Sequence, residues 1–319
     1  MDLEAGSSGD SSEAEYMGPP DFEREVALYG GVAVGLRQAP YADVIEVLRR
    51  AVEEVVVPAI GIDLTWFTSA ICSDDDLESG DTRTTGRDGV DLDFALSRVE
   101  PVWERGGLFD VTLLGAATAL MPHFWHPKRV VVVIHARFAS PMEIAGRKAG
   151  GTTVGVSLHR WALYGGGANL TGVTGTLSDW LLRSSERLGA DTGYVTLDRV
   201  TAQSTESPWE WLTASGGIGR DVTSDLWGYG WGTLLSPAHL ERIGGAAALA
   251  ALETGRVREF PGGRVWFTLG DDIATLDPAT VAALREVLLP ALPVGRMTLE
   301  EYYAQPVNEY GPVIEHYIL

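Results

Sequence analysis

Leu226 to Gly245, LWGYGWGTLLSPAHLERIGG, reads as a strand followed by a capped helix. Trp227, Tyr229 and Trp231 alternate with glycines, the period of a strand with one aromatic face, and glycine lets a second backbone approach closely. Ser236 has the chemistry of an N-cap, Pro237 fits the first helical position, and Gly244 and Gly245 stop the helix. The stretch holds no nucleophile beside a base and no metal-ligand spacing, so it specifies architecture rather than chemistry.

Downstream, Ala246 to Glu253 is an alanine-rich helical turn ended by Gly255. Val257–Phe260 and Val265–Leu269 bracket Pro261, Gly262 and Gly263, a hairpin signal. Asp277 and Pro278 cap a helix with Val281, Leu284 and Leu288 facing inward, and Pro290 and Pro293 mark its end. Upstream, Arg129 to Phe138, RVVVVIHARF, predicts a buried or half-buried strand, with Thr152 to Trp161 as its neighbour. A helix from about Val173 to Leu188 turns Leu177, Trp180, Leu181 and Leu188 to one side and stops at Gly189, and Tyr194–Leu197 follows as a strand.

The first half opens on a strand, Val26–Leu36, with a bulge or bend expected at Gly30 and Gly31. Tyr41 to Val55 is a helix by periodicity, with Val44, Leu48, Ala51, Val52 and Val55 on one face, and Pro58 is expected to end it before a strand at Ile60–Thr68. The strand, helix, strand order recurs in the second half and suggests two related halves. Elements mix without strict alternation, so the predicted fold is α+β: a mixed, mostly antiparallel sheet with flanking helices. Residues 1–20 form an acidic tail expected to be disordered, and 21–319 one domain. Within that domain, segments 21–145 and 146–295 are candidate subdomains, with a C-terminal extension at 296–319.

Composition bounds function. A chain of 319 residues with 45% hydrophobic content can bury a large core unaided. Cys72 is the single cysteine, which forbids an internal disulfide and favours a reducing compartment. No basic segment followed by an apolar run opens the chain, and the apolar stretch from Val111 to Met121 is too short for a bilayer, so a cytoplasmic protein without membrane contact is expected. The net charge of -20 repels phosphate backbones and disfavours nucleic acid. It attracts a basic protein partner, although acidic excess also serves solubility alone.

Asp74, Asp75, Asp76, Glu78 and Asp81 lie in a charged connection between Ser73 and Asp93. Asp74, Asp76 and Glu78 alternate and their carboxylates suit calcium, but the EF-hand glycine and final glutamate are misplaced, which leaves a solvated loop. His123 and His126 flank Phe124 and Trp125 between two prolines; an HxxH pair in a turn lacks the helical stacking of a zinc motif, and His135 fits an ordinary strand position. The chain has no GxSxG elbow, and YGGGANLTG from Tyr164 to Gly172 lacks the lysine ending of a phosphate loop. Asp271 with Asp272 and Glu300 with Glu301 are adjacent acids rather than a pair across a cleft. Trp209, Trp211, Trp227 and Trp231 could line a binding face, with core packing as the plainer reading.

The run WGYGWGTLLSPAHLERIGG, the strand at Gly193–Asp198, SPWEW at Ser207–Trp211 and LGDD at Leu269–Asp272 together resemble the polymorphic-toxin immunity proteins. The likeness is to the immunity-protein 52 and type VI immunity families, over roughly Leu170 to Leu292. The resemblance implies a non-enzymatic protein that covers a cognate toxin; from the residues themselves no cofactor and no metal are expected. Such families share no catalytic residues, so none is assigned here. The expected contacts with a basic toxin or effector domain are Asp74, Asp75, Asp76, Glu78 and Asp81 for steering, with Trp227, Tyr229 and Trp231 as exposed aromatic anchors. The alternative is a hydrolase of unrecognised class acting through His123 or His126.

Overall fold

In the computed structural model the described residues are 25–60, 64–71, 109–117, 130–144, 147–159, 169–200, 221–226, 228–275 and 278–292. Nine strands among them join in one sheet: β1 (Glu25–Gly35), β2 (Leu64–Ile71), β3 (Phe109–Ala117), β4 (Val130–Ile144), β5 (Arg147–His159), β6 (Thr192–Val200), β7 (Gly232–Leu235), β8 (Gly255–Phe260) and β9 (Arg264–Leu269). The order across the sheet is β2-β3-β4-β5-β1-β6-β7-β9-β8, and every neighbouring pair is antiparallel. With the helices this is an α+β fold built on an antiparallel sheet.

The first strand ends up in the middle. β1 pairs with β5 on one side and β6 on the other, and both ladders run unbroken through Gly30 and Gly31. The bulge expected there is therefore absent, and Gly30 has a different purpose. A Cβ on it would stand 2.8 Å from Leu177 Cγ, so the missing side chain is the socket into which the crossing helix seats a leucine.

Helices cover one face of the centre of the sheet. α1 (Tyr41–Arg50) continues through a π-helical segment, Ala51–Val56, into α2 (Val57–Ile60). The expected apolar face, Val44, Leu48, Ala51, Val52 and Val55, is buried. Pro58 does not end the helix as expected. The Val57 N–H bonds back to the Val52 carbonyl, and Pro58 then falls in a new first turn, where its missing N–H costs little.

α3 (Leu170–Leu188) starts earlier than the apolar periodicity indicates because the Asn169 side chain accepts the Thr171 N–H at 3.2 Å. Its predicted face of Leu177, Trp180, Leu181 and Leu188 is buried. Trp180 Nε1 donates to the Val47 carbonyl at 3.1 Å and fastens α3 to α1. Arg183–Glu54 and Arg187–Asp43 pairs, at 2.5 and 2.8 Å, border the same contact and contribute little because they are solvated.

α3 leads from β5 to β6 across the single strand β1, whereas the connection from β1 to β2 ends at the far edge of the sheet. The two strand, helix, strand units thus occupy inequivalent places.

The segment at Leu226–Gly245 departs from its reading at the strand and obeys it at the helix. β7 begins only at Gly232, after the aromatic run. Thr233 Oγ1 accepts the Gly230 N–H at 3.2 Å, which bends the chain where an extended ladder was expected. α4 (Pro237–Arg242) is capped by Ser236, whose side chain bonds the His239 N–H while the His239 ring returns the bond to the Ser236 N–H. At the other end the Gly244 N–H reaches Glu241 and the Gly245 N–H reaches Leu240, the paired bonds of a Schellman stop. α5 (Ala246–Ala250) follows and brings Leu249 against Gly255, which opens β8 rather than merely stopping a helix. The β8–β9 hairpin turns at Pro261–Gly263 as predicted, and α6 (Pro278–Leu288) buries Val281, Leu284 and Leu288.

Candidate functional site

Alternation along the central strands divides their side chains sharply. Leu28, Val32 and Val34 of β1, Val132, Ile134 and Ala136 of β4, and Val154, Val156 and Leu158 of β5 form the apolar face beneath α1 and α3. The intervening positions are Tyr29, Val133, His135, Arg137, Thr153 and Ser157, so the opposite face is polar and aromatic. Tyr29, His135 and Ser157 on it are nevertheless buried.

Register sets Thr112, His135, Gly155, Gly31 and Tyr194 in one row across five strands. Two successive glycines leave a trough between the imidazole and the phenol ring. Tyr29, from the adjoining row, lies there, its ring 6.1 Å from His135 at 10° and 5.2 Å from Tyr194 at 45°. A Cβ on Gly155 would stand 2.6 Å from His135 Cε1 and 2.7 Å from the Tyr29 hydroxyl, so both rings require glycine at that position. Val222 joins Tyr29, Ala33 and Tyr194 in a small separate apolar cluster.

His135 is 2% exposed, and neither ring nitrogen has a hydrogen-bond partner. Burial, aided by the positive charge of Arg137, pushes its pKa down to about 3, so the ring is neutral near pH 7. A neutral imidazole offers one N–H donor and one lone pair. Thr153 Oγ1, on the same face, is likewise buried without a partner. Groups of this kind normally find a protein partner or a bound molecule, which makes this face the candidate site.

The other polar clusters have structural roles. His239 is fully buried, with its pKa lowered to about 4 chiefly by that burial. Its Nδ1 accepts the Ser236 N–H at 3.2 Å, which leaves the proton on Nε2. Arg242 ties α4 to the preceding turn through Asp225 at 2.6 Å and the Ser224 carbonyl. Arg37 donates to the Leu188 and Gly189 carbonyls, and Arg264 to those of Ser185 and Ala190, so two arginines satisfy the end of α3. Beside them Asp191 accepts the Gly35 N–H at 2.8 Å, with its carboxyl pKa raised mainly by burial.

The residues singled out in the sequence fare unequally. Asp74, Asp75, Asp76, Glu78, Asp81, Cys72, His123, His126, Trp209, Trp211 and Trp227 lie outside the described residues. Tyr229 and Trp231, expected as exposed anchors, are only 2% and 8% exposed. They belong to the main core because the chain bends before β7 and turns them inward. Among the described residues no group of three His, Cys, Asp or Glu side chains gathers to hold a metal ion, and no helix is long and apolar enough to cross a membrane. Sequence reasoning missed Tyr29, Tyr194 and the distinctive place of His135. The available signal was the alternation in VVVVIHARF, which puts Val133, His135 and Arg137 opposite Val132, Ile134 and Ala136.

No protein-family model matches the chain, and no curated protein matches it either. Among solved structures the fold is similar to that of the Pseudomonas aeruginosa T6SS protein PA0821, with a TM-score of 0.55 and 13% sequence identity. The match covers 88% of this chain and 84% of that one, so the two share an architecture over most of their lengths.

Proposed function

We propose that this protein is a non-enzymatic immunity or inhibitory binding protein that neutralises a toxin or effector domain of a type VI secretion system. The observation that carries this reading is the shared architecture with a T6SS protein over 88% of the chain. It meets the resemblance of the Trp-Gly and LSP segments to type VI immunity families, a likeness drawn from the sequence on separate grounds. The net charge of -20 supports a basic partner, since complementary charge accelerates encounter. Asp74, Asp75, Asp76, Glu78 and Asp81 are the proposed steering residues. Tyr229 and Trp231, being buried, are packing residues and not proposed contacts.

The test is co-expression with the toxin or effector encoded beside this gene. Rescue of growth and a complex that survives gel filtration are expected. Absence of both would refute the reading. Within such a complex, replacing Asp74, Asp75 and Asp76 with lysine is expected to slow association and flatten its salt dependence, and unchanged kinetics would exclude that segment from steering.

A further inference from the structure

We propose that the polar face of the sheet beside His135 and Thr153 binds a small uncharged molecule carrying both a hydrogen-bond donor and an acceptor. The assignment is independent of the toxin reading and rests on buried polar atoms without partners. His135 leaves both ring nitrogens bare at 2% exposure, and Thr153 leaves its Oγ1 bare on the same face. Native proteins rarely leave such atoms unpaired, and a bound molecule is one regular reason for an apparent exception.

Geometry brings the two residues within common reach. His135 stands opposite Gly155 and Thr153 opposite Arg137, so the pair are diagonal neighbours on adjacent strands. Diagonal neighbours are about 7–8 Å apart, a gap that one small molecule can bridge. Gly155, between Thr153 and Ser157 on this face, is covered by the His135 ring and the Tyr29 hydroxyl, which form one wall of the site.

The chemistry of the walls selects the ligand. A neutral imidazole presents one donor and one acceptor, and a hydroxyl presents both, so the complementary molecule must do the same. The burial that keeps His135 uncharged also penalises an ionic ligand, and Arg137 on the same face repels a cation. A primary amide, an alcohol or a trapped water has the required character.

Thermal denaturation of the full chain tests the proposal with acetamide as probe, sodium acetate as its charged counterpart, and the variants His135→Phe and Thr153→Val. Removing a polar group that is truly unbonded is neutral or stabilising, whereas removing a bonded one destabilises. Both variants are therefore expected to melt below the wild type. Acetamide that raises the wild-type midpoint but neither variant's identifies a small organic occupant. No effect of acetamide, with both variants still lowered, identifies water as the occupant of the same donor–acceptor site. Variants melting at or above the wild type would overturn the proposal, as would an acetate-induced rise that the variants lack. If His135→Phe does not fold, the direction of the Thr153→Val shift decides alone.

Discussion

Mild acid should weaken this fold well before its carboxylates titrate, and two histidines set the size of the effect. His135 has a folded pKa of about 3 and His239 of about 4, against an ordinary value of 6.5 in the unfolded chain. In both cases the folded pKa lies below the unfolded one. The stability held by the neutral rings is thus complete above 6.5 and is lost as pH falls toward the folded values. At about pH 5 the unfolded chain binds nearly one more proton at each site than the folded chain does, which amounts to about 2 kcal/mol per histidine. Asp191 acts in the opposite direction, because its raised carboxyl takes up a proton more readily in the folded state. Urea unfolding followed by tryptophan fluorescence at about pH 7.5 and about pH 5 measures the sum, on the order of 4 kcal/mol. In His135→Phe the difference between the two pH values should shrink by about 2 kcal/mol, whatever the variant's absolute stability. An undiminished difference in that variant would refute the assignment of a neutral, desolvated imidazole to this face.

Other consequences follow from the packing. Gly30→Ala should destabilise the fold by about 1–3 kcal/mol, because the new Cβ meets Leu177 Cγ at 2.8 Å inside a filled core. The double variant Gly30→Ala with Leu177→Ala should lose less than the two single losses added together, and strict additivity in chemical denaturation would show that the socket is not what Gly30 provides. Ser236→Ala should cost about 1 kcal/mol by removing the side-chain half of the capping box on α4. A melting temperature equal to the wild type would mean that the His239 ring holds that end without it.

Local features were the legible ones. The apolar face of α3, the caps of α4 and the β8–β9 turn each depend on residues a few positions apart, whose spacing and chemistry stand in the chain itself. At Tyr229 and Trp231 the same reading failed in part. Alternating aromatic and glycine residues satisfy an extended strand, yet the Gly230–Thr233 bond that bends the chain competes with that ladder, and the period carries no trace of it. Gly30 is a related case, since a glycine in a strand signals either a bulge or a close approach, and only the arrival of Leu177 distinguishes them.

By itself the sequence determined the α+β character, the acidic charge that orders possible partners by sign, and most helix boundaries. Tertiary structure alone decided that the first strand lies at the centre of the sheet, and that Tyr29, His135, Gly155 and Tyr194 meet on its polar face. The reason is the nature of strand pairing. Alternation tells which residues share a face of one strand, but backbone hydrogen bonds are the same for every sequence, so the choice of neighbour and register is made by the packing of the whole core.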